Sequence, residues 1–340
     1  MGAPLQQTAG STTAVRPPVA STRRRGRGGR VGRGDVGGDR HRPRSLRARR
    51  EQRAAYLFLL PWFAGLLFIT IGPMLASLYL SFTEFNVTET PRWIGFENYR
   101  EMFTEDPRYW QSVRVTLTYV VISVPLVLTF ALTLAVVLNR GLRFLSLYRS
   151  LYYLPSLMGS SVAIAILWRQ VFGADGLVNA FLGVFGIEGR SWIGDPDSAL
   201  STLIALHVWT FGSAMIIFLA GLRQIPTDLY ESALIDGAGT WQRFRHITLP
   251  LLTPIILFNG ILNMISSFQA FTPSYVVSNG TGGPADSTLF YTLYLYQQGF
   301  TSFQMGYASA MAWALLGAIA FCTGLIFATS GRWVFYYDGR

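Results

Sequence analysis

The chain has 340 residues, 51% of them hydrophobic and 14% aromatic, and only 14% are charged, against roughly 25% in an average soluble domain. That deficit excludes an ordinary water-soluble fold and makes membrane spans, rather than globular cores, the unit to count. The formal net charge is +10, but residues 1 to 53 hold 14 arginines against Asp35, Asp39 and Glu51, so +11 lies there and residues 54 to 340 sum to −1.

There is no lysine anywhere in the sequence. A nucleotide-binding loop of the Walker A type needs a lysine to neutralise the β and γ phosphates, so no such ATPase site can form in this chain, and Schiff-base chemistry is excluded as well. The single cysteine, Cys322, lies in an apolar run; it can form neither an internal disulfide nor a multi-cysteine metal cluster and reads as a small buried filler.

Residues 1 to 53, with runs such as Arg23-Arg24-Arg25-Gly26-Arg27, offer almost nothing to bury and are predicted to be a disordered cytoplasmic tail. By charge alone the tail suits anionic lipid or nucleic acid; contact with membrane lipid or a topology-setting role is expected, with no nucleic acid partner. It is no cleaved leader, because the first uncharged run begins at Ala54 and lasts 30 residues, beyond the roughly 7 to 15 of a leader's apolar region.

Uncharged runs then recur at 54–83, 115–139, 150–168, 198–222, 247–285 and 287–331, each long enough for a span of about 20 residues. The breaker cluster Asn279 to Pro284 should end the fifth helix near Pro273. The aromatic stretch 290–296 suits an interface, leaving 304–329 as the last span. The predicted fold class is an all-α membrane protein of six transmembrane helices.

Arginine placement sets the orientation. With the tail inside, Arg140, Arg143 and Arg149, then Arg223, Arg243 and Arg245, and finally Arg332 and Arg340 also fall in the cytoplasm, while residues 84–108 and 169–197 carry an excess of acids outside. Both termini are expected to be cytoplasmic. The predicted organisation is a tail (1–53), a first transmembrane helix with its outer loop (54–111), a transmembrane domain (112–330) containing a cytoplasmic loop at 223–250, and a cytoplasmic end (331–340).

That loop reads RQIPTDLYESALIDGAGTWQRFRHITLPLLTP from Arg223 to Pro254. Pro226 and Asp228 suit a first helical turn and Gly237 a helix stop, which predicts a helix over 226–236. Thr240 can cap a second over 241–247, before Pro250 turns the chain into span five. Small residues (Ser232, Ala233, Gly237, Ala238, Gly239) would let another surface approach closely, with Glu231 and Asp236 offering carboxylates. A connector packed on its own helix ends fits the same residues.

The ordered pattern Glu231-Ser232-Ala233, Asp236-Gly237-Ala238, Phe244, Ile247, Leu249-Pro250 and Pro254 resembles the EAA loop of ABC importer permeases in its sugar-importer form. It departs from the pattern at Ser232, where alanine is usual. Trp93 to Tyr99, Tyr152 to Pro155, Trp192-Ile193-Gly194 and Gly280 to Pro284 are similar to landmarks of the maltose-type permeases, and the likeness covers residues 54–330.

The resemblance implies a type I ABC importer permease in a bacterial plasma membrane, with Glu231, Ser232, Ala233, Asp236, Gly237, Ala238, Leu249 and Pro250 forming coupling helices that dock on a separate ATP-binding subunit. It further implies two such subunits or domains, which bind the ATP and magnesium, so that this chain holds no cofactor. A second, similar permease making a heterodimer and an extracytoplasmic solute-binding protein complete the expected partners.

In span five, Asn259, Asn263 and Ser266 share one helical face, with Ser267 close by. Such a stripe lines either a solute path or a hydrogen-bonded helix interface. His207 in span four lacks the ionisable companions of a proton relay and reads as a hydrogen-bonded structural residue. A membrane-embedded enzyme would need catalytic carboxylates, histidines or a metal site at helix ends, and a channel or secondary carrier would have no use for a coupling loop.

Overall fold

The computed structural model describes residues 46–335 except 141–143, 160 and 188, with side chains from residue 55 onward. Most of the predicted disordered tail and the end of the chain lie outside the described residues. Helix α1 (Leu46–Gly65) begins inside the segment assigned to that tail, since leucine, alanine and arginine are good helix formers. The chain divides into two units, Met1–Pro61 and Trp62–Arg340.

Past α1, a π-helical turn (Leu66–Ile71), in which the Gly72 N–H reaches back to the Leu67 carbonyl, leads into α2 (Gly72–Leu80). Pro73 sits beside it, and a widened turn accommodates the missing donor. The strands among the described residues are one antiparallel pair, β1 (Thr83–Glu84) and β2 (Arg92–Trp93). Helix α3 (Glu97–Arg100) follows, and the buried Asn98 amide ties it to the Ser81 and Thr83 carbonyls at 2.9 and 3.0 Å.

Helix α4 (Pro107–Leu138) is the central post. Towards its start Tyr109, Val115, Tyr119 and Val120 pack into one buried cluster; towards its end Val127, Ala131, Ala135 and Leu138 pack into another. Ala131 and Ala135 are fully buried, and their small size at a spacing of four lets a neighbouring helix close in.

Four helices in the described residues are long and apolar enough to cross a membrane, and the count rises to six if each of two bent pairs is one span. The first pair is α5 (Leu145–Met158) with α6 (Val162–Phe172) and α7 (Leu177–Val184). The second is α8 (Pro196–Trp209) with α9 (Gly212–Leu222), bent by 42°. The runs expected to hold spans three and four, 150–168 and 198–222, fall in these bent pairs. In the second pair the Thr210 hydroxyl and backbone N–H both donate to the His207 carbonyl, at 2.7 and 3.0 Å, and take it out of the helical ladder.

After α10 (Thr227–Ile235), helix α11 (Thr240–Arg243) runs through a π-helical turn (Phe244–Thr248) into α12 (Leu249–Phe268) without a corner. The turn expected at Pro250 is absent. Proline is tolerated there because the π-helical turn just before it widens the backbone around the missing donor, and at Pro254 the Thr253 hydroxyl takes up the Pro250 carbonyl at 2.6 Å. Helix α12 stops at Phe268, short of the expected Pro273, which instead falls in the first turn of α13 (Thr272–Val277), where its missing N–H costs no helical bond.

The aromatic stretch, α14 (Tyr291–Tyr296), is not an interfacial anchor. Phe290, Tyr291, Leu293 and Tyr294 are buried in the first cluster, because the Tyr291 hydroxyl finds the Met311 carbonyl at 2.8 Å and its N–H the Thr116 hydroxyl at 2.8 Å. Helix α15 (Met305–Ser330) closes the chain close to the expected last span.

Candidate functional site

The 223–250 loop is a knob on a fixed base. Ile225 is buried in the second cluster, and Leu229, Tyr230 and Ile247 pack against it, while the Tyr230 and Thr248 hydroxyls meet at 2.9 Å. Helix α10 ends in a double hydrogen bond: the Gly237 N–H reaches the Leu234 carbonyl at 3.0 Å and the Ala238 N–H the Ala233 carbonyl at 2.8 Å. This stop places its closing residue in the left-handed region, where Gly237 has φ +75°. The second helix starts one residue earlier than expected. Gly239 is its cap, with the Gln242 side chain accepting the Gly239 N–H at 2.8 Å, and Thr240 is the first helical residue.

The base leaves one face open. Glu231, Ser232, Asp236 and Gly237 are exposed, Ala233 and Ala238 are partly buried, and Leu249 and Pro250 sit apart at the start of α12. No ion pair among the described residues involves Asp228, Glu231 or Asp236. Two apolar side chains that the sequence reading did not single out, Leu234 and Ile235, are 54% and 87% exposed. An apolar tip therefore lies beside carboxylates that have no ion-pair partner among the described residues.

A second feature is a cavity of about 310 Å³ between α4, α5, α8 and the end of α12, lined by Tyr119, Ser156, His207, Thr210, Ser266 and Gln269 among others. His207 is held there by the Ser123 hydroxyl at 3.2 Å and the Ser267 hydroxyl at 3.5 Å, with its ring stacked on Tyr119 at 5.5 Å. The polar stripe of span five divides. Ser266 faces the cavity and Ser267 is buried behind it, whereas Asn259 and Asn263 donate to the Ile255 and Asn259 carbonyls of their own helix at 3.2 and 3.0 Å. Tyr119, Ser156, Thr210 and Gln269 were not legible as a set, since they come from four separate helices or helix ends.

At the far end from the loop, Asp106 joins three segments. Its Oδ1 caps α4 by accepting the Arg108 and Tyr109 N–H groups at 2.9 and 3.1 Å, and its Oδ2 accepts the hydroxyls of Tyr294 and Tyr307, both at 2.6 Å. Burial, then the nearby Asp106 carboxylate, hold the Tyr294 hydroxyl well above its ordinary range, so it stays a donor. Arg108 adds a two-pronged ion pair to Asp286 at 2.9 and 3.1 Å.

Residues 108–334 match the family described as the inner membrane component of binding-protein-dependent transport systems. The chain belongs to that family. This transport component is 52% identical over 294 residues to the probable ABC transporter permease protein YesP of Bacillus subtilis (strain 168), across 86% of this chain and 95% of that one. It is 36% identical over 279 residues to the lactose transport system permease protein LacF of Rhizobium radiobacter, across 80% and 92%. In fold it is similar, with a TM-score of 0.72 and 21% identity over 85% of this chain and 98% of the other, to a chain in the crystal structure of a bacterial alginate ABC transporter in complex with an alginate pentasaccharide-bound periplasmic protein.

Proposed function

We propose that this chain is one permease subunit of an importer for a sugar or sugar derivative in a bacterial plasma membrane, with both termini cytoplasmic. Around it stand a second permease in a heterodimer, two ATP-binding subunits and an extracytoplasmic solute-binding protein. ATP and magnesium are handled by the ATP-binding partners, and Glu231, Ser232, Asp236 and the Leu234–Ile235 tip transmit their closure to the membrane helices by rigid-body movement. The observation that carries the coupling role is the knob itself: α10 has no buried residue, yet its base is pinned to the helix core.

The sugar reading is supported by the relative named for lactose transport and by the cavity. Its lining offers hydroxyls, an amide, an imidazole and aromatic faces, with no carboxylate or guanidinium among the described residues, a set that matches a neutral polyol. In this reading Ser266 lines the solute path, Ser267 supports it by holding His207, and Asn259 and Asn263, bonded within their own helix, complete the polar stripe.

The test is co-purification with uptake. A tagged chain should bring down an ATPase, and Glu231→Ala should lower uptake of labelled sugar by about tenfold, the loss of one charged contact of roughly 1.4 kcal/mol, with the amount in the membrane unchanged. An absent ATPase together with unaltered uptake would sink the importer reading. A binding protein that captures a peptide or a metal ion would remove the sugar and leave the permease.

A further inference from the structure

The ion pairs of the described residues, Arg92–Glu84, Arg100–Glu97, Arg100–Glu105, Arg108–Asp286 and Arg190–Asp195, all lie in the loops at the end away from the coupling loop. At the coupling-loop end Arg140, Arg149, Arg223, Arg243 and Arg245 have no carboxylate partner among the described residues. The Nε of Arg243 is shut off from solvent with no acceptor. Unpaired guanidinium groups at one end of a membrane protein call for anions from outside the chain.

Beside these arginines lies a groove of about 690 Å³ between α4 and the segment that joins α11 to α12. Thr129, Leu132, Thr133, Val136, Val137 and Arg140 line one wall, all on one face of the α4 helix and its end. Thr240, Trp241, Phe244 and Leu249 line the other. The depths are apolar in effect, because the Thr133 hydroxyl is already spent on the Thr129 carbonyl at 2.7 Å. The mouth is polar and cationic: Arg140 is exposed there, and Arg243 Nη2 lies 3.5 Å from the Thr240 hydroxyl. Trp241, stacked on Phe244 at 5.6 Å, adds an exposed indole of the kind favoured at a membrane interface.

Length decides what fits. From Thr129 to Arg140 a helix rises about 16 Å, close to half the roughly 30 Å hydrocarbon core. The groove therefore runs the depth of one leaflet and stops, with its charge where the headgroups are. The arginines at its mouth match a headgroup charge, whereas a free anion would need no apolar slot. We propose that the groove holds one acyl chain of an anionic glycerophospholipid from the leaflet on the coupling-loop side, whose phosphate pairs with Arg140 and Arg243. The proposal concerns lipid binding; it shares Leu249 and the 240–249 segment with the coupling reading and is tested by lipid retention alone.

The test uses the assembled complex, purified in mild detergent with equimolar phosphatidylglycerol and phosphatidylcholine and examined by native mass spectrometry. The wild type should retain phosphatidylglycerol in preference, and Arg140→Gln should lower that preference by about fivefold, the effect of one basic residue at a lipid surface. Val136→Trp, which fills the groove, should lower retention of both lipids. A photo-crosslinking amino acid at Val137, independent of those variants, should label lipid. Equal retention by the wild type and Arg140→Gln, or a crosslink from Val137 to the second permease, would overturn the proposal.

Discussion

Asp106 shows how much one side chain can hold together in this molecule. Its two oxygens have separate duties, one capping α4 and the other receiving two tyrosines that lie 188 and 201 residues further along the chain. Asp106→Asn separates the duties, since asparagine caps a helix as well as aspartate does but turns an amide donor or a single oxygen towards two hydroxyl donors. The expected cost is about 1–3 kcal/mol, that of a buried donor left without an acceptor, read as a lower melting temperature of the purified complex with coupling-loop function intact. The capping half of this arrangement is legible in the sequence, where Asp106 precedes Pro107. The tyrosine half is not, because no local pattern says which hydroxyl will return to it.

Among the elements, the local structure of the 223–250 loop was the most readable and the helix breaks the least. Glycine at 237 announces a stop whichever way the rest of the loop folds, since only a residue without Cβ enters the left-handed region freely. Proline at 250 and 254 announces a turn equally loudly, yet the helix runs on, because a π-helical turn and the Thr253 hydroxyl absorb the missing donors. The aromatic stretch 290–296 misleads for a similar reason: its hydroxyls look like interfacial anchors until partners inside the protein satisfy them. At the start of α15, Gly306 lies against β1 so closely that a Cβ would sit 2.1 Å from the Thr83 carbonyl oxygen. Gly306→Val should force the two apart, at about 1–3 kcal/mol for an overpacked contact, and faster proteolysis of the 81–99 segment in intact membranes would report it. Unchanged cleavage would mean that the contact is not held.

On the scale of the whole molecule, the cavity beside His207 is where separate helices create something none of them carries alone. Ser266→Phe places a ring in its opening without touching the coupling loop. Uptake should fall by about tenfold or more, as expected when a bulky side chain obstructs a close-packed site, while binding of the ATPase partner is retained. Uptake at the wild-type level would take Ser266 off the solute path.

The sequence by itself determined the apolar body, the arginine asymmetry, the absence of a lysine-based nucleotide site and the glycine-stopped helix of the 223–250 loop. These depend on composition and on neighbours within a few residues, where chain chemistry acts directly. Only the tertiary structure decided which polar residues of span five face open space, where the third and fourth spans break, that the aromatic stretch turns inward, and that an apolar groove ends at Arg140. Each of those depends on which distant group stands ready to take a hydrogen bond or fill a volume, and the chain supplies that partner only when it is folded.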